Sequence, residues 1–236
     1  MSILSKLQNR QLGLLELLAM GYSLYFNNFR IFASLLCIVL PFEIIHKILV
    51  HYQSIDSNLS NLVVLLSLIY NIFVTITYIS AIALTLESIV LNKKLRIKAV
   101  LKQILYSALP LINLSIRFYV ILYLRTFLLI IPGIIYSVNN FFYYLAFILR
   151  GQRGKSAFQY SRSLVKGNWW KVFFFVLLIA FNYIGVLSIF NKIVSIFIPN
   201  YPIVVNIIST ILTNLVGVGI TTSIILLFLN LDFQKR

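Results

Sequence analysis

The chain has 236 residues, of which 61% are hydrophobic and 11% charged, and its mean hydropathy is +0.97. These values exclude an ordinary soluble domain, because a soluble core of this length cannot enclose so much apolar surface. The formal net charge of +15 at pH 7 predicts contact with the anionic headgroups of membrane lipids. We expect no nucleic-acid partner for so apolar a chain.

Apolar runs long enough to cross a membrane lie at 31–50, 62–85, 110–149, 172–190 and 203–230. They are unbroken rather than alternating, which predicts transmembrane helices and not a barrel. The third run is long enough for two crossings and contains Pro132 and Gly133, residue types that break helices and form turns. We therefore predict an all-α integral membrane protein with six transmembrane helices in one domain, 1–236, and a hairpin tip at this pair. A re-entrant hairpin and a single long helix are the alternatives for 110–149.

Basic residues are unevenly distributed among the predicted loops. Nearly all of the 20 Lys and Arg residues lie in the N-terminal segment, in 87–117, in 150–171 or at the C-terminus. Cytoplasmic loops are enriched in Lys and Arg, so both termini are predicted to be cytoplasmic. The predicted location is a bacterial plasma membrane, with the six helices arranged as three hairpins.

Each predicted hairpin follows a segment whose apolar residues recur at helical spacing, which predicts a cytoplasmic amphipathic helix at the membrane surface. The three apolar stripes are Leu15, Leu18, Ala19 and Tyr22; Ile97, Val100, Leu101, Ile104, Leu105 and Ala108; and Ala157, Phe158, Ser161, Leu164 and Val165. Basic residues near these segments are the candidate contacts for anionic lipid or for a partner protein. They are Lys93, Lys94, Arg96, Lys98, Lys102, Arg153, Lys155, Arg162 and Lys166.

A short pattern occurs twice at the same spacing. Tyr22-Ser23-Leu24 leads to Asn28-Phe29, and Arg162-Ser163-Leu164 leads to Asn168-Trp169. This favours an internal repeat with copies at about 10–86, 87–150 and 151–230, of which the middle copy shares only the layout and Asn113. All copies enter from the cytoplasm, so the inverted repeat typical of many secondary transporters is absent.

Three stretches resemble a known family: LELLAMGYSLYFNNFRIFASLLCIVLPFEII, the IIPGIIY turn at 130–136, and RGKSAFQYSRSLVKGNWWKVF at 153–173. The chain resembles the bacterial family typified by the membrane domain of glycerophosphoryl diester phosphodiesterases, chiefly in the Pro-Gly turn and the segment from Ala157 to Trp170. The resemblance implies a six-helix membrane module, and the family includes stand-alone members without an assigned activity. A separate soluble domain performs catalysis in the phosphodiesterases. This chain has no room for one, so we do not expect that activity.

Residues suited to catalysis or metal binding are scarce. The sequence contains no HExxH, GxSxG or Walker-type glycine motif, and only five Asp and Glu residues. Glu43 and His46 form a single ExxH, and His51 follows it. One such motif supplies too few ligands for a metal centre. We therefore predict no catalytic site, no metal and no cofactor.

Charged residues within the predicted crossings are more informative, because they are costly in lipid and usually face the bundle interior or each other. Glu43 and Arg125 lie at depths that are compatible with an ion pair. The alternative for Arg125 is that its long side chain reaches the headgroups. Glu87, at the end of the second predicted crossing, is expected to pair with the lysines that follow it.

We predict that uncharged polar residues within the predicted crossings form a layer in the helix bundle. Its asparagines are Asn71, Asn182, Asn206 and Asn214. Such a layer either joins helices or lines a transport path. Helical spacing places Gly217 on the side of these residues and Gly219 on the opposite side, which favours helix packing.

Two functions fit this sequence. The first is a non-catalytic membrane module that binds anionic lipid of the cytoplasmic leaflet, or a membrane-protein partner, through its basic amphipathic helices. The alternative is a small transporter, as a single bundle or a homo-oligomer, that uses the asparagine and threonine layer as its path. The first explains the charge, the repeat and the scarcity of catalytic residues, whereas the second explains only the polar layer.

Overall fold

The computed structural model describes residues 3–53, Val63, and residues 77–93 and 97–235. Within these residues the chain forms helices and no strand. The helices are α1 (Ile3–Asn9), α2 (Leu14–Asn27), α3 (Phe29–Gln53), α4 (Thr77–Val90), α5 (Ile97–Leu128), α6 (Ile130–Asn139), α7 (Tyr143–Arg150), α8 (Lys155–Val165), α9 (Trp169–Phe197) and α10 (Pro202–Lys235).

Five segments of the described chain are long and apolar enough to cross a membrane. They are Phe29–His51, Lys102–Leu128, Ile130–Arg150, Trp169–Phe197 and Pro202–Lys235. The predicted all-helical class is therefore confirmed for the described residues. The second predicted crossing, 62–85, lies mostly outside those residues, and α4 contains its end.

Helix α10 packs against α1, α2, α3, α8 and α9. Its contact with α2 is close: a Cβ added to Gly21 would lie 2.8 Å from the backbone nitrogen of Ser223, and one added to Gly219 would lie 2.3 Å from the Tyr22 ring. The prediction for the glycines was wrong, because Gly219 lies in the close contact whereas a Cβ on Gly217 would meet no atom within 4 Å. Small residues let the two backbones approach.

Polar contacts reinforce the α2–α10 seam. The Thr222 hydroxyl donates to the carbonyl of Gly21 at 2.9 Å, and the Tyr22 hydroxyl donates to the carbonyl of Val216 at 3.3 Å. Burial raises the pKa of Tyr22, so its hydroxyl remains protonated and available as a donor.

A buried asparagine ties the N-terminal region to α10. The side-chain amide of Asn230 donates to the carbonyls of Leu7 and Arg10, each at 2.9 Å, and its oxygen accepts from the backbone N–H of Leu12 at 3.2 Å. Both ends of the amide are therefore satisfied, as a fully buried polar group requires.

Helix α5 is continuous through Pro110, so the segment predicted as a separate amphipathic helix before the third crossing is part of one long helix. The chain turns at Leu129, which has extended dihedrals, and Pro132 lies in the first turn of α6. The predicted tip is thus displaced by about one helical turn. Proline removes the N–H that would bond to the carbonyl four residues earlier and its ring clashes there, so the helix ends at Leu128.

The two arms on either side of Leu129 run antiparallel. Near the turn, a Cβ on Gly133 would lie 2.3 Å from the Thr126 hydroxyl oxygen. Farther from it, Phe118 stacks on Tyr143 with ring centroids 4.7 Å apart, and the Tyr143 hydroxyl bonds to Ser115 at 3.0 Å. Gly133 therefore permits close packing of α6 on α5, rather than forming the turn itself.

The buried face of α8 follows its predicted stripe, with Ala157, Ser161, Leu164 and Val165 buried. This face packs on α6, α7 and α10. The protein itself therefore covers it, whereas the sequence predicts that it faces the membrane surface. The stripe of α2 that is predicted to face the membrane surface stays a prediction, because the protein buries a different face of this helix. Leu17, Gly21, Leu24 and Tyr25 are buried, while Leu15 is 74% exposed.

Asparagines occupy three breaks between helices. Asn28 separates α2 from α3 with φ −119° and ψ 28°, and Asn168 precedes α9 with φ −121° and ψ 19°. Asn140, which follows α6, has φ −107° and ψ 13°. Asn113 lies inside α5 and marks no break. The matched conformations of Asn28 and Asn168 fit the proposed repeat, which stays a prediction.

Candidate functional site

Two adjoining clefts lie where α5 faces α8 and α7. The first has a volume of about 510 Å³ and the second of about 440 Å³. The first is lined by Ile116, Arg117, Val120, Ile121, Tyr136, Gly154, Lys155, Phe158, Gln159 and Arg162. The second is lined by Leu109, Pro110, Asn113, Leu114, Arg117, Phe147, Arg153 and Gly154. Arg117 and Gly154 line both, so the two form one continuous surface, which we call the double cleft.

Cationic side chains in the double cleft lie beside apolar walls. Arg117, Lys155 and Arg162 line the first cleft, and Arg117 and Arg153 line the second. No Asp or Glu is among the lining residues of either cleft. In the described part of the chain, none of these cations forms an ion pair with a carboxylate. Their charges are therefore available to an external anion.

Neighbouring residues hold two of these cations in place. Arg162 donates from Nε to the Asn140 side-chain oxygen at 3.0 Å, which leaves the outer edge of the guanidinium for other acceptors. The Arg153 guanidinium lies over the Phe147 ring, 4.7 Å from its centroid, and its backbone accepts from the Ser156 hydroxyl at 2.8 Å. Gly154, which lines both clefts, has φ +55° and forms a turn. This turn places Arg153 in the second cleft and Lys155 in the first.

The sequence predicted three of these cations, Arg153, Lys155 and Arg162, among its lipid or partner contacts, but did not select Arg117. Lys166 is exposed beyond α8, Lys93 is exposed after α4, and Lys102 lies 5.9 Å from the Tyr106 ring. These three do not line the double cleft. Lys94, Arg96 and the side chain of Lys98 lie outside the described residues.

The predicted Glu43–Arg125 pair does not form. The Asn214 amide donates to the Glu43 carboxylate, while the Arg125 guanidinium lies over the Tyr136 ring, 4.7 Å from its centroid. Asn214 thus joins α3 to α10 through a bond that the sequence pattern did not indicate. The signal was present, since both residues were selected as intramembrane polar groups, but their pairing depends on how the helices pack.

Among the described residues, the predicted layer shows no second contact of this kind. Asn182 and Asn206 are exposed on α9 and α10, and Asn71 lies outside the described residues. The Thr210 and Thr213 hydroxyls each donate to a carbonyl one turn earlier on α10. The layer therefore contributes a local pair at Glu43 and Asn214, and the described residues trace no continuous polar path.

A buried charged cluster joins the ends of three helices. Arg150 donates to Asp232 at 2.6 Å and 2.9 Å and to Glu87 at 2.5 Å, and the Tyr160 hydroxyl also donates to Asp232. The side chains of Arg150 and Asp232 are 10% and 0% exposed. Glu87 pairs with Arg150 and not with the described Lys93, whereas the neighbouring Lys94 lies outside the described residues. Two carboxylates thus pair with one guanidinium and all three groups are engaged within the chain, so this cluster is a structural tie.

The described residues contain no group of three or more His, Cys, Asp or Glu side chains that could hold a metal ion. A scan against protein-family models and searches of characterised proteins and of solved structures found no match to the chain. The family resemblance seen in the sequence therefore stays a prediction, and the double cleft is the feature on which a functional proposal rests.

Proposed function

We propose that the chain is a membrane module that binds the headgroup of an anionic phospholipid in the double cleft, at the cytoplasmic surface. The observation that supports this most is the convergence of Arg117, Lys155 and Arg162 on a cleft without a carboxylate. Charge-assisted hydrogen bonds to phosphate are strong, and guanidinium groups match its geometry. A non-catalytic role is consistent with the chemistry of the lining residues.

Apolar walls favour a lipid over a soluble anion. Val120, Ile121 and Phe158 stand beside the cations of the first cleft. A soluble phosphate would leave this surface in water, whereas an amphiphile places its phosphate on the cations and its acyl chains on the wall. The burial of apolar surface then adds to the charge attraction, by roughly 25 cal/mol per Å².

The α5–α6 hairpin supports a position of the cleft at headgroup depth. Beyond Arg117, α5 continues for eleven residues to Leu128, which is roughly 16 Å of helix. The tip is apolar and open, with Phe127 91% and Leu128 76% exposed. A bilayer core is about 30 Å thick, so the tip would reach about its middle. We propose a re-entrant hairpin, which keeps its two basic flanks on the same side of the membrane.

The depth of the hairpin is tested by placing one thiol at its tip. In a Cys37→Ser background, Phe127→Cys is labelled with a depth-sensitive fluorophore in lipid vesicles and quenched by spin-labelled lipids. A re-entrant tip is quenched best by labels near the bilayer centre and resists a membrane-impermeant thiol reagent from either side. Reaction with that reagent from the outer side would indicate a complete crossing and exclude the re-entrant arrangement.

The binding proposal is tested by comparing two charge-matched variants. The cleft variant combines Arg117→Gln, Lys155→Gln and Arg162→Gln; the control combines Lys93→Gln, Lys102→Gln and Lys166→Gln, which are exposed outside the cleft. Binding of phosphatidylglycerol, against phosphatidylcholine, is measured through the fluorescence of Trp169 and Trp170 in neutral detergent. We expect the cleft variant to lose about tenfold or more in affinity, since a charged hydrogen bond contributes about 1.5–3 kcal/mol. Equal losses in both variants would mean diffuse attraction and contradict a defined site.

The transporter alternative has less support. Its proposed path requires asparagines that converge, and the described ones lie on separate exposed faces, apart from the Asn214 contact with Glu43.

A further inference from the structure

We infer that the preferred occupant of the double cleft is a phospholipid with two phosphates and acyl chains on both, of the diphosphatidylglycerol type. This inference rests on the proposed lipid-binding function and names its ligand class. It follows from the division of one cationic surface into two clefts that share Arg117 and Gly154.

The charge of the site exceeds what one phosphate can neutralise. Arg117, Arg153, Lys155 and Arg162 bring four positive charges to the two clefts, without an acidic residue in either lining. A phosphate diester carries one negative charge, so a single phosphatidylglycerol leaves most of this charge uncompensated. Like charges gathered on one exposed surface repel one another. Two bridged phosphates remove twice as much of this repulsion within one ligand.

Each cleft has its own apolar wall. Val120, Ile121 and Phe158 line the first, and the exposed Leu109 and Pro110 line the second. A lipid whose two phosphates each carry acyl chains covers both walls, whereas a diphosphate on a single chain covers only one. The number of walls thus distinguishes between two kinds of dianionic lipid that the charge count alone does not separate.

Arg117 has a special position because it reaches both clefts. Lys155 and Arg162 serve the first phosphate, Arg153 serves the second, and Arg117 lies between them. Joining two binding events in one ligand raises the effective concentration for the second, so the affinity of the bridged lipid exceeds that of two separate ones. This gain depends on the second cleft and therefore on Arg153.

The test measures binding of diphosphatidylglycerol and phosphatidylglycerol with identical acyl chains, at equal total phosphate, by the full chain in mixed micelles with phosphatidylcholine. Native mass spectrometry counts the bound lipids, and tryptophan fluorescence gives the affinities. We expect one diphosphatidylglycerol to bind per chain. At equal total phosphate, its affinity should exceed that of phosphatidylglycerol by about tenfold. Arg153→Gln should reduce that preference to near unity, because it weakens binding of diphosphatidylglycerol much more than binding of phosphatidylglycerol. Arg162→Gln should weaken both lipids and serves as the comparison, since it alters the first cleft.

The outcomes separate this inference from the function on which it rests. Equal affinity per phosphate for the two lipids, or a preference that survives Arg153→Gln, would overturn the two-phosphate assignment while lipid binding stands. Failure of both lipids to bind would overturn the proposed function as well. Inorganic diphosphate is the control for a soluble ligand: displacement of the lipid at equal concentration would show that the acyl chains are not recognised and contradict the assignment. These arginines are exposed, and unchanged circular dichroism verifies folding of each variant.

Discussion

The two ends of this molecule differ in what covers their apolar surface. At one end α1, α2 and α8 pack around the C-terminal half of α10, and Arg150 of α7 pairs with Asp232 of α10. In the apolar stretch of α10, 56% of the residues are buried inside the chain. At the other end, only 6% of the residues in the apolar stretch of α3 and 11% of those in the apolar stretch of α9 are buried inside the chain. We call these the packed end and the open end. The packed end is stabilised by contacts within the protein, whereas the open end requires lipid or another subunit to cover it.

Polar contacts follow the same division. The packed end contains the Arg150–Asp232 pair, the Asn230 clamp and the Thr222 bond to the α2 backbone. At the open end, Asn214 and Glu43 form a long-range side-chain bond. Buried polar groups must be matched, so they make the packed end specific and sensitive to substitution. We expect substitutions there to reduce stability more than substitutions at the open end.

The largest effect is expected at the buried charged cluster. Arg150→Met removes the cation between Asp232 and Glu87 and leaves Asp232 buried at 0% exposure. We expect a loss of about 3–5 kcal/mol in the free energy of unfolding, measured by denaturant titration in detergent. Arg10→Met is the control, because the Arg10–Glu16 pair is 60% and 35% exposed and should contribute at most about 1 kcal/mol. Equal losses would show that the packed end has no special dependence on its charges.

A smaller effect is expected at the α2–α10 seam. Gly21→Ala places a methyl group within 2.8 Å of the Ser223 backbone nitrogen, which forces the helices apart and should destabilise the protein by about 1–3 kcal/mol. Gly217→Ala, on the same α10, meets no atom within 4 Å and should stabilise the helix by about 0.5–1 kcal/mol. The two midpoints of thermal unfolding should therefore shift in opposite directions. A shift in the same direction would contradict the close seam.

The smallest effect is expected for the polar pair at the open end. A double-mutant cycle of Glu43→Leu and Asn214→Leu should give a coupling energy of about 0.6 kcal/mol, the average for hydrogen bonds between membrane helices. The cycle of Glu43→Leu and Arg125→Leu should be additive within about 0.5 kcal/mol, since Arg125 lies over Tyr136 instead. Strong coupling in the second cycle would restore the ion pair that the sequence predicted.

Local patterns in the sequence predicted the helical class and the apolar stripe of α8, which other helices cover although the membrane surface was expected to do so. They also selected three of the four cations that line the double cleft. They did not indicate which face of α2 the protein buries, because Gly21 carries no hydrophobic signal although it allows a close helix contact. They placed the hairpin turn at Pro132 and Gly133 instead of at Leu129. Proline interrupts a helix at the carbonyl four residues before it and not at its own position.

Contacts between distant residues were not predictable from one sequence. Arg150 lies 63 positions from Glu87 and 82 from Asp232, and nothing in the local pattern selects these partners over nearby lysines or carboxylates. Arg117 was overlooked as a site residue for the same reason. Its role arises only when α8 lies across α5 and brings Lys155 and Arg162 to the same cleft. Side-chain type was informative, whereas pairing required the packing of the helices.

Binding of an anionic lipid in the double cleft, rather than over the whole open end, is tested most directly by photo-crosslinking. Phosphatidylglycerol with a photoreactive group in its acyl chain is added to the full chain in neutral detergent, and the adducts are located by mass spectrometry. We predict adducts concentrated on Val120, Ile121 and Phe158, and lost in the variant that lacks Arg117, Lys155 and Arg162. Adducts that are as frequent on exposed Phe42 and Phe181 of α3 and α9, and unchanged in that variant, would contradict a specific site.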